Sequence, residues 1–191
     1  MGARPDGRMS AQRRIGLALV DEFRIAHAQA EEIRRLLAAS FPECEFAKQR
    51  TYFKQIPTRR LLARDGDVLV GHLGLEHRVV ATSAGPARIF GIIDLCVAPP
   101  ARRRGIATRM LRRVERLGAE NGIEFLVLFA QDSRLYERRG FRRAKNPLRW
   151  MKVHEHRTLG IGEEPLEELM VKPLGDRRWP DGLVDLLGYQ F

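Results

Sequence analysis

The sequence predicts an α/β (α+β) protein built around a mixed central sheet, and three observations carry that expectation. Three apolar, β-prone runs follow one another across turn signals between residues 61 and 97, the pattern of an antiparallel meander. A helical stripe then separates the last of them from the almost wholly apolar run at 124–130. Strand, helix, strand in that order requires a right-handed crossover that leaves the two strands parallel. The 191 residues, 44% of them hydrophobic and 30% charged, suit one domain with a core of ordinary size rather than a fibrous or unfolded chain.

Taken in order, a short strand near Leu19 precedes a helix at 28–39, where Ile33, Leu36 and Leu37 fall at helical spacing and Phe41-Pro42 ends the pattern. Runs at 61–64 and 68–80 flank Asp65-Gly66-Asp67, a hairpin signal because such a turn needs positive φ. A second turn at Ser83-Ala84-Gly85-Pro86 leads into a strand at 88–97, stopped by Pro99-Pro100. Ile106, Met110, Val114 and Leu117 form one stripe of a helix that ends near Asn121-Gly122. A short helix at 132–139 ends at Gly140 and feeds a strand around Phe141 and Arg142. Strands are expected again at 148–153 and 168–172, separated by a loop holding Gly160, Gly162 and Pro165.

The domain expectation is an N-terminal arm at 1–20, a core at 21–153 and a C-terminal extension at 154–191 that packs on the core. The first fourteen residues are Arg-rich and lack the apolar segment of a signal peptide, and no apolar run approaches the roughly 18 residues of a membrane span. A cytoplasmic protein without a membrane partner is the expectation. Cys44 and Cys96 are too few for a disulfide framework and lack zinc-ligand spacing, so two reduced thiols and no metal are expected. The net charge of +10 comes almost wholly from arginine and admits nucleic acid, an anionic cofactor or mere codon preference.

The junction after Val97 is where an open sheet of this kind gathers ligands, because the following helix presents unpaired N–H groups there. Gly105 lets backbone approach a bound group, Ala107 keeps the turn small, and the positive helix end makes an anion site. Arg102, Arg103 and Arg104 add charge around it. Neither G-x-G-x-x-G nor G-x-x-x-x-G-K-[ST] occurs, which removes the common dinucleotide and triphosphate loops. Asp94-Leu95-Cys96-Val97-Ala98-Pro99-Pro100-Ala101-Arg102-Arg103-Arg104-Gly105-Ile106-Ala107 resembles the pyrophosphate motif of the GNAT N-acetyltransferases, with Arg102, Gly105 and Ala107 at its R-x-x-G-x-A positions. Leu135-Tyr136-Glu137-Arg138-Arg139-Gly140-Phe141 resembles the family's L-Y-x-x-x-G-F signature downstream.

The resemblance covers residues 22–153 and implies a GNAT fold, a mixed sheet of about six or seven strands flanked by about four helices, with the fourth and fifth strands splayed. It implies that acetyl-CoA, or another acyl-CoA, enters that opening, hydrogen-bonded by the backbone of Leu95, Cys96 and Val97. Its phosphates would rest on Arg103, Arg104, Gly105, Ile106, Ala107 and Thr108, with Arg102 beside them. The family's usual Asn seven residues before the tyrosine is Phe129 here, so Gln131 or Ser133 would take over its contact.

Acylation of an amine needs a proton acceptor, since an amine pKa near 10 leaves it charged at neutral pH, and a proton for the departing thiolate. Asp94, a carboxylate among Ile92, Ile93 and Leu95, is the candidate base or amine anchor, against the alternative of a sheet-edge Asp satisfied locally. Tyr136 is the candidate acid, against the alternative of a helix residue packing on the strand below. His72 and Glu76 share strand parity and could face the acceptor. The tail is loosely similar to those of aminoglycoside 2′-N-acetyltransferases and nodulation N-acyltransferases. Folded over the cleft, it would offer Asp185 and the Phe191 carboxylate to a cationic amine, and otherwise it forms an edge strand. The function expected is acetyl transfer to a primary amine of a small molecule, an aminoglycoside-like compound being one candidate. Long-chain acyl transfer from CoA or acyl carrier protein is the first alternative, and nucleic-acid binding, a less favoured partner class, the second. A homodimer stays open.

Overall fold

The computed structural model describes residues 15–191; the N-terminal arm expected at 1–20 therefore lies mostly outside the described residues. Residues 16–20 of that arm are sheet: strand β1 (Gly16–Asp21) pairs antiparallel with β2 (Arg59–Asp65). The meander is completed by β3 (Val68–Thr82) and β4 (Gly85–Val97), with Gly66 at the first turn at φ 61°. Helix α3 (Ile106–Glu120) returns the chain to β5 (Phe125–Phe129), which lies parallel to β4 as the crossover requires. Helices α1 (His27–Ser40) and α4 (Arg134–Glu137) follow expectation, while α2 (Phe46–Gln49) lies between Pro42 and the run at 61–64, where no element was expected. No helix among the described residues is long and apolar enough to cross a membrane.

Beyond α4 the chain makes β6 (Arg142–Arg143), β7 (Pro147–His154), β8 (Arg157–Pro165), β9 (Leu169–Pro173) and β10 (Val184–Tyr189). The sheet runs β6-β9-β5-β4-β3-β10-β7-β8, with β2 and β1 added on β3, so it has ten strands where six or seven were expected. Against the eight strands read run by run from the sequence, the extra ones are β8, expected as loop, and β10 in the tail. Glycines masked β8: Gly160 is at φ 108°, and a Cβ on Gly162 would come within 2.8 Å of the Trp150 ring, so both are demanded by pairing with β7. The division at 153 falls inside that hairpin, and the tail enters the sheet instead of lying on it. Strand β10 pairs antiparallel with β3 at Val184 and Asp185 and parallel with β7, so it is no edge strand.

Burial explains the arrangement. Ile106, Met110, Leu111 and Val114 of α3 are at most 2% exposed against Leu73, Leu126 and Phe141, each side chain contributing roughly 1.5–3 kcal/mol. On the other side, Val184 and Leu186 join Val80, Phe125 and Trp150 in a second cluster. Buried Asn146 ties the tail down: its Nδ2 donates to Pro180 O (3.0 Å) and Gly182 O (2.7 Å), and its Oδ1 accepts from Trp179 Nε1 (2.7 Å).

Candidate acyl-transfer site

Strands β4 and β5 pair only as far as Gly91 and Val127, and beyond that point β4 runs on for six residues without β5. The cause is visible in β4. Asp94 and Leu95 together face Leu73, a bulge that puts Asp94 at φ 48° and bends the strand. After the bulge, the Ala98 N–H donates to Val70 O (2.9 Å). Strand alternation then turns the backbone of Leu95 and Val97 away from β3, toward the widening gap, and that of Cys96 toward His72.

At the end of β4 a 3₁₀ turn (Pro99–Ala101) leads to Arg103 at φ 63° and Gly105 at φ 73°, the N-cap of α3. An atom placed as a Cβ on Gly105 meets nothing within 4 Å, so one face of the loop is open. The N–H groups of Ile106, Ala107 and Thr108 belong to the first turn and have no helical acceptor. Arg102 is turned inward, its Nε donating to Val97 O (3.0 Å), and Arg104 pairs with Asp65 (2.7 Å). The loop therefore offers main-chain donors more than arginine side chains. These donors suit a diphosphate in number and direction, and the unpaired edge of β4 suits an extended amide-bearing arm.

On the other side of the gap lies a cavity of about 200 Å³. Ile92, Ile93 and Asp94 from the freed part of β4 and Phe129 from β5 wall it, so it opens on the splay. Its remaining walls come from afar: Tyr52, Phe53 and Lys54 of the 50–58 segment, and Tyr189, Gln190 and Phe191 of the tail. Phe129, standing at the position where Asn was expected, packs edge-on against Phe191 (5.6 Å). The Phe191 ring lies over Gly91, where a Cβ would come within 2.7 Å of it.

Arg60, fully buried, organises this wall. Nε and Nη2 hold Glu22 at 2.5 and 3.0 Å, Nη1 and Nη2 donate to Thr51 O and Oγ1, and Nη1 donates to His72 Nε2 (2.9 Å). All five guanidinium N–H donors are thereby used. Because His72 Nε2 accepts, its proton sits on Nδ1, which donates to the Asp94 carbonyl (3.0 Å). Burial, then the Arg60 charge, pushes His72 down to about 3, so it stays neutral. The Asp94 carboxylate has no partner among the described residues; burial raises it to about 6 against the opposing pull of Arg60. Tyr136 packs edge-on against Phe141 (5.8 Å), and burial foremost raises its phenol to about 12. Burial does the same to the Cys96 thiol, which is inert at about 12.

Asp94, His72 and Phe191 thus share the cavity, whereas Glu76 lies behind it, accepting from Tyr189 Oη (3.1 Å) and Arg78 (3.3 Å). Asp185 is withdrawn from it: its carboxylate accepts the Leu187 N–H (2.8 Å) and lies 3.8 Å from Arg149. Ser133 precedes α4 with Tyr136 one turn on. Lys54, Arg60 and Gln190 were not foreseen. Only Arg60 left a signal, an arginine directly at the head of the apolar run Leu61-Leu62-Ala63 and so in need of a partner if the strand is buried from its start.

A family model described as an acetyltransferase (GNAT) domain matches residues 24–144. Among solved structures, the chain is similar to the GNAT family N-acetyltransferase YhbS from Escherichia coli in complex with CoA, at 22% identity and TM-score 0.64 over 91% of this chain and 89% of that one. It is similar to a GNAT family acetyltransferase from Brucella melitensis in complex with acetyl-CoA, at 18% identity and TM-score 0.56 over 88% and 94%. A GCN5-related N-acetyltransferase from Kribbella flavida matches at 20% identity and TM-score 0.53, but over 69% of this chain and only 34% of that longer one. No curated protein matches the sequence. At these identities the structures speak for the fold, while the family match spans more than half of the chain; the chain belongs to the GNAT family of acetyltransferases.

Proposed function

We propose that this protein moves an acetyl group from acetyl-CoA to a primary amine of a small molecule by direct attack, with both substrates bound together. The observation that carries this reading is that Asp94, the only side-chain carboxylate lining the cavity among the described residues, lies on β4 just past the point where β4 leaves β5, on the same freed strand edge that leads to the open loop at Gly105. The E. coli and B. melitensis proteins of this fold, solved with CoA and acetyl-CoA, support the choice of donor. Acetyl-CoA supplies an electrophilic thioester carbon. Main-chain N–H groups of Gly105, Ile106, Ala107 and Thr108 hold its phosphates, and the edge at Leu95 and Val97 aligns its arm.

Asp94 takes a proton from the acceptor ammonium, a step uphill by ~4 units that the following N–C bond formation draws forward. Transfer then forms an N–C bond, breaks the C–S bond and leaves a thiolate beside Tyr136, while the second proton shed by the attacking nitrogen passes to water. A phenol at about 12 would protonate a thiol of pKa near 8.5 uphill by ~3 units, so Tyr136 serves as a neutral hydrogen-bond donor to the thiolate and water completes the protonation. Lys54 and Arg60 beside a single side-chain carboxylate suit a small amine better than an aminoglycoside-like polycation.

A CoA-release assay with acetyl-CoA and longer acyl donors, against amines, peptides and aminoglycosides, tests the reading, together with calorimetric binding of acetyl-CoA. Acetyl-CoA binding with turnover of a small amine is expected; no binding of any acyl-CoA overturns it. Tyr136→Phe should lower kcat by about tenfold with little change in KM, as a lost donor to developing charge does.

A further inference from the structure

Two opposite charges lining the acceptor cavity are left without an ionic partner. One is the Asp94 carboxylate, described above. The other is Lys54: its Nζ donates to Gln190 O (2.9 Å) and Gln190 Oε1 (3.1 Å), both neutral, and no carboxylate pairs with it among the described residues. An ammonium has three donors, so one N–H of Lys54 is unspent. Arg60, the remaining cation of the wall, has none left, since Glu22, Thr51 and His72 take all five. A half-buried ion held only by neutral groups costs stability that a paired one recovers. The burial that lowers the Lys54 ammonium is the same cost seen from its proton.

We propose that the cavity is built for an amine that also carries a carboxylate, an amino-acid-like zwitterion, whose ammonium meets Asp94 and whose carboxylate meets Lys54. This deepens the function proposed above and rests on it. The body of such an acceptor lies among Phe53, Phe129, Tyr189 and Phe191, so an aromatic or apolar side chain completes the fit. A polycation is disfavoured by Lys54, and an amine without an anion leaves Lys54 desolvated and unpaired.

The test compares amino acids with their decarboxylated twins as acceptors for the full chain: L-phenylalanine with phenethylamine, L-tyrosine with tyramine, L-leucine with isoamylamine. The wild-type protein should show kcat/KM at least about tenfold higher for the carboxylated member of at least one pair, the effect of one desolvated ion pair. In Lys54→Met that ratio should fall toward one. A merely structural lysine would lower both values together and keep the ratio, which overturns the proposal. If the wild-type protein binds acetyl-CoA and acetylates plain amines equally well or better, or reacts with amines but with neither member of any pair, this inference fails while the acetyltransferase reading stands. Failure to bind acetyl-CoA removes both.

Discussion

Asp94 holds a left-handed backbone at φ 48° and a carboxyl raised by burial to about 6, both consequences of the bulge that carries it into the cavity wall. Acting as a base it works ionised, so kcat/KM should rise with pH through about 6 and level off above. His72, held near 3, adds no limb in that range. Asp94→Asn should abolish the limb and lower kcat/KM by about 10²-fold or more, read from pH profiles of CoA release. The stability effect has the opposite sign. A folded value above the ordinary 3.8 means that the folded state favours the protonated form, a contribution present below 3.8 and lost as pH rises through 6. At pH 7.5 the asparagine variant, free of that burdened charge, should be more stable by on the order of 1–3 kcal/mol in urea melts, and no more stable at pH 4. An unchanged pH profile would take Asp94 out of the chemistry.

The corner between β4 and α3 was legible because its requirements are local. A glycine at φ 73° is needed where the strand turns into the helix, and the stripe Ile106, Met110, Val114 fixes which face of the helix turns inward. Gly105→Ala would force a Cβ-bearing residue into left-handed backbone at a cost of about 1 kcal/mol and put a methyl in the open face of the loop. Acetyl-CoA affinity by calorimetry should drop roughly tenfold or more, a larger loss than the stability change accounts for. Strand β8 was not legible for the complementary reason. Its sequence Arg157-Thr158-Leu159-Gly160-Ile161-Gly162 is short of core-facing residues, and only the β7 edge makes it a strand. The same holds for β10, where Leu187 at φ 47° interrupts a strand that pairs β3 over two residues.

At the scale of the whole molecule, the tail both completes the sheet and closes the site. Val184 and Leu186 bury themselves between β3 and β7, while Gln190 binds Lys54 and Arg78 Nη1 donates to Tyr189 O (2.7 Å). These two jobs separate by truncation. Removing 188–191 should leave a folded protein, by circular dichroism and size exclusion, whose KM for the acceptor rises with little change for acetyl-CoA. Removing 182–191 should expose the facing edges of β3 and β7 and give an unfolded or aggregating chain. A well-folded product of the longer truncation would show that β10 is dispensable to the sheet.

What the sequence by itself determined is the part of the fold written in short stretches: the meander, the crossover helix and the glycine corner that opens it, all read from adjacent residues whose backbone needs and periodicity act over a turn or two. The acceptor cavity was decided only by tertiary structure. Its wall and the groups that hold it join Glu22, Thr51, Lys54, Arg60, His72, Asp94 and Gln190, brought from six places in the chain. Which of their charges are paired and which stand free follows from distances across the folded sheet, where no local pattern records them.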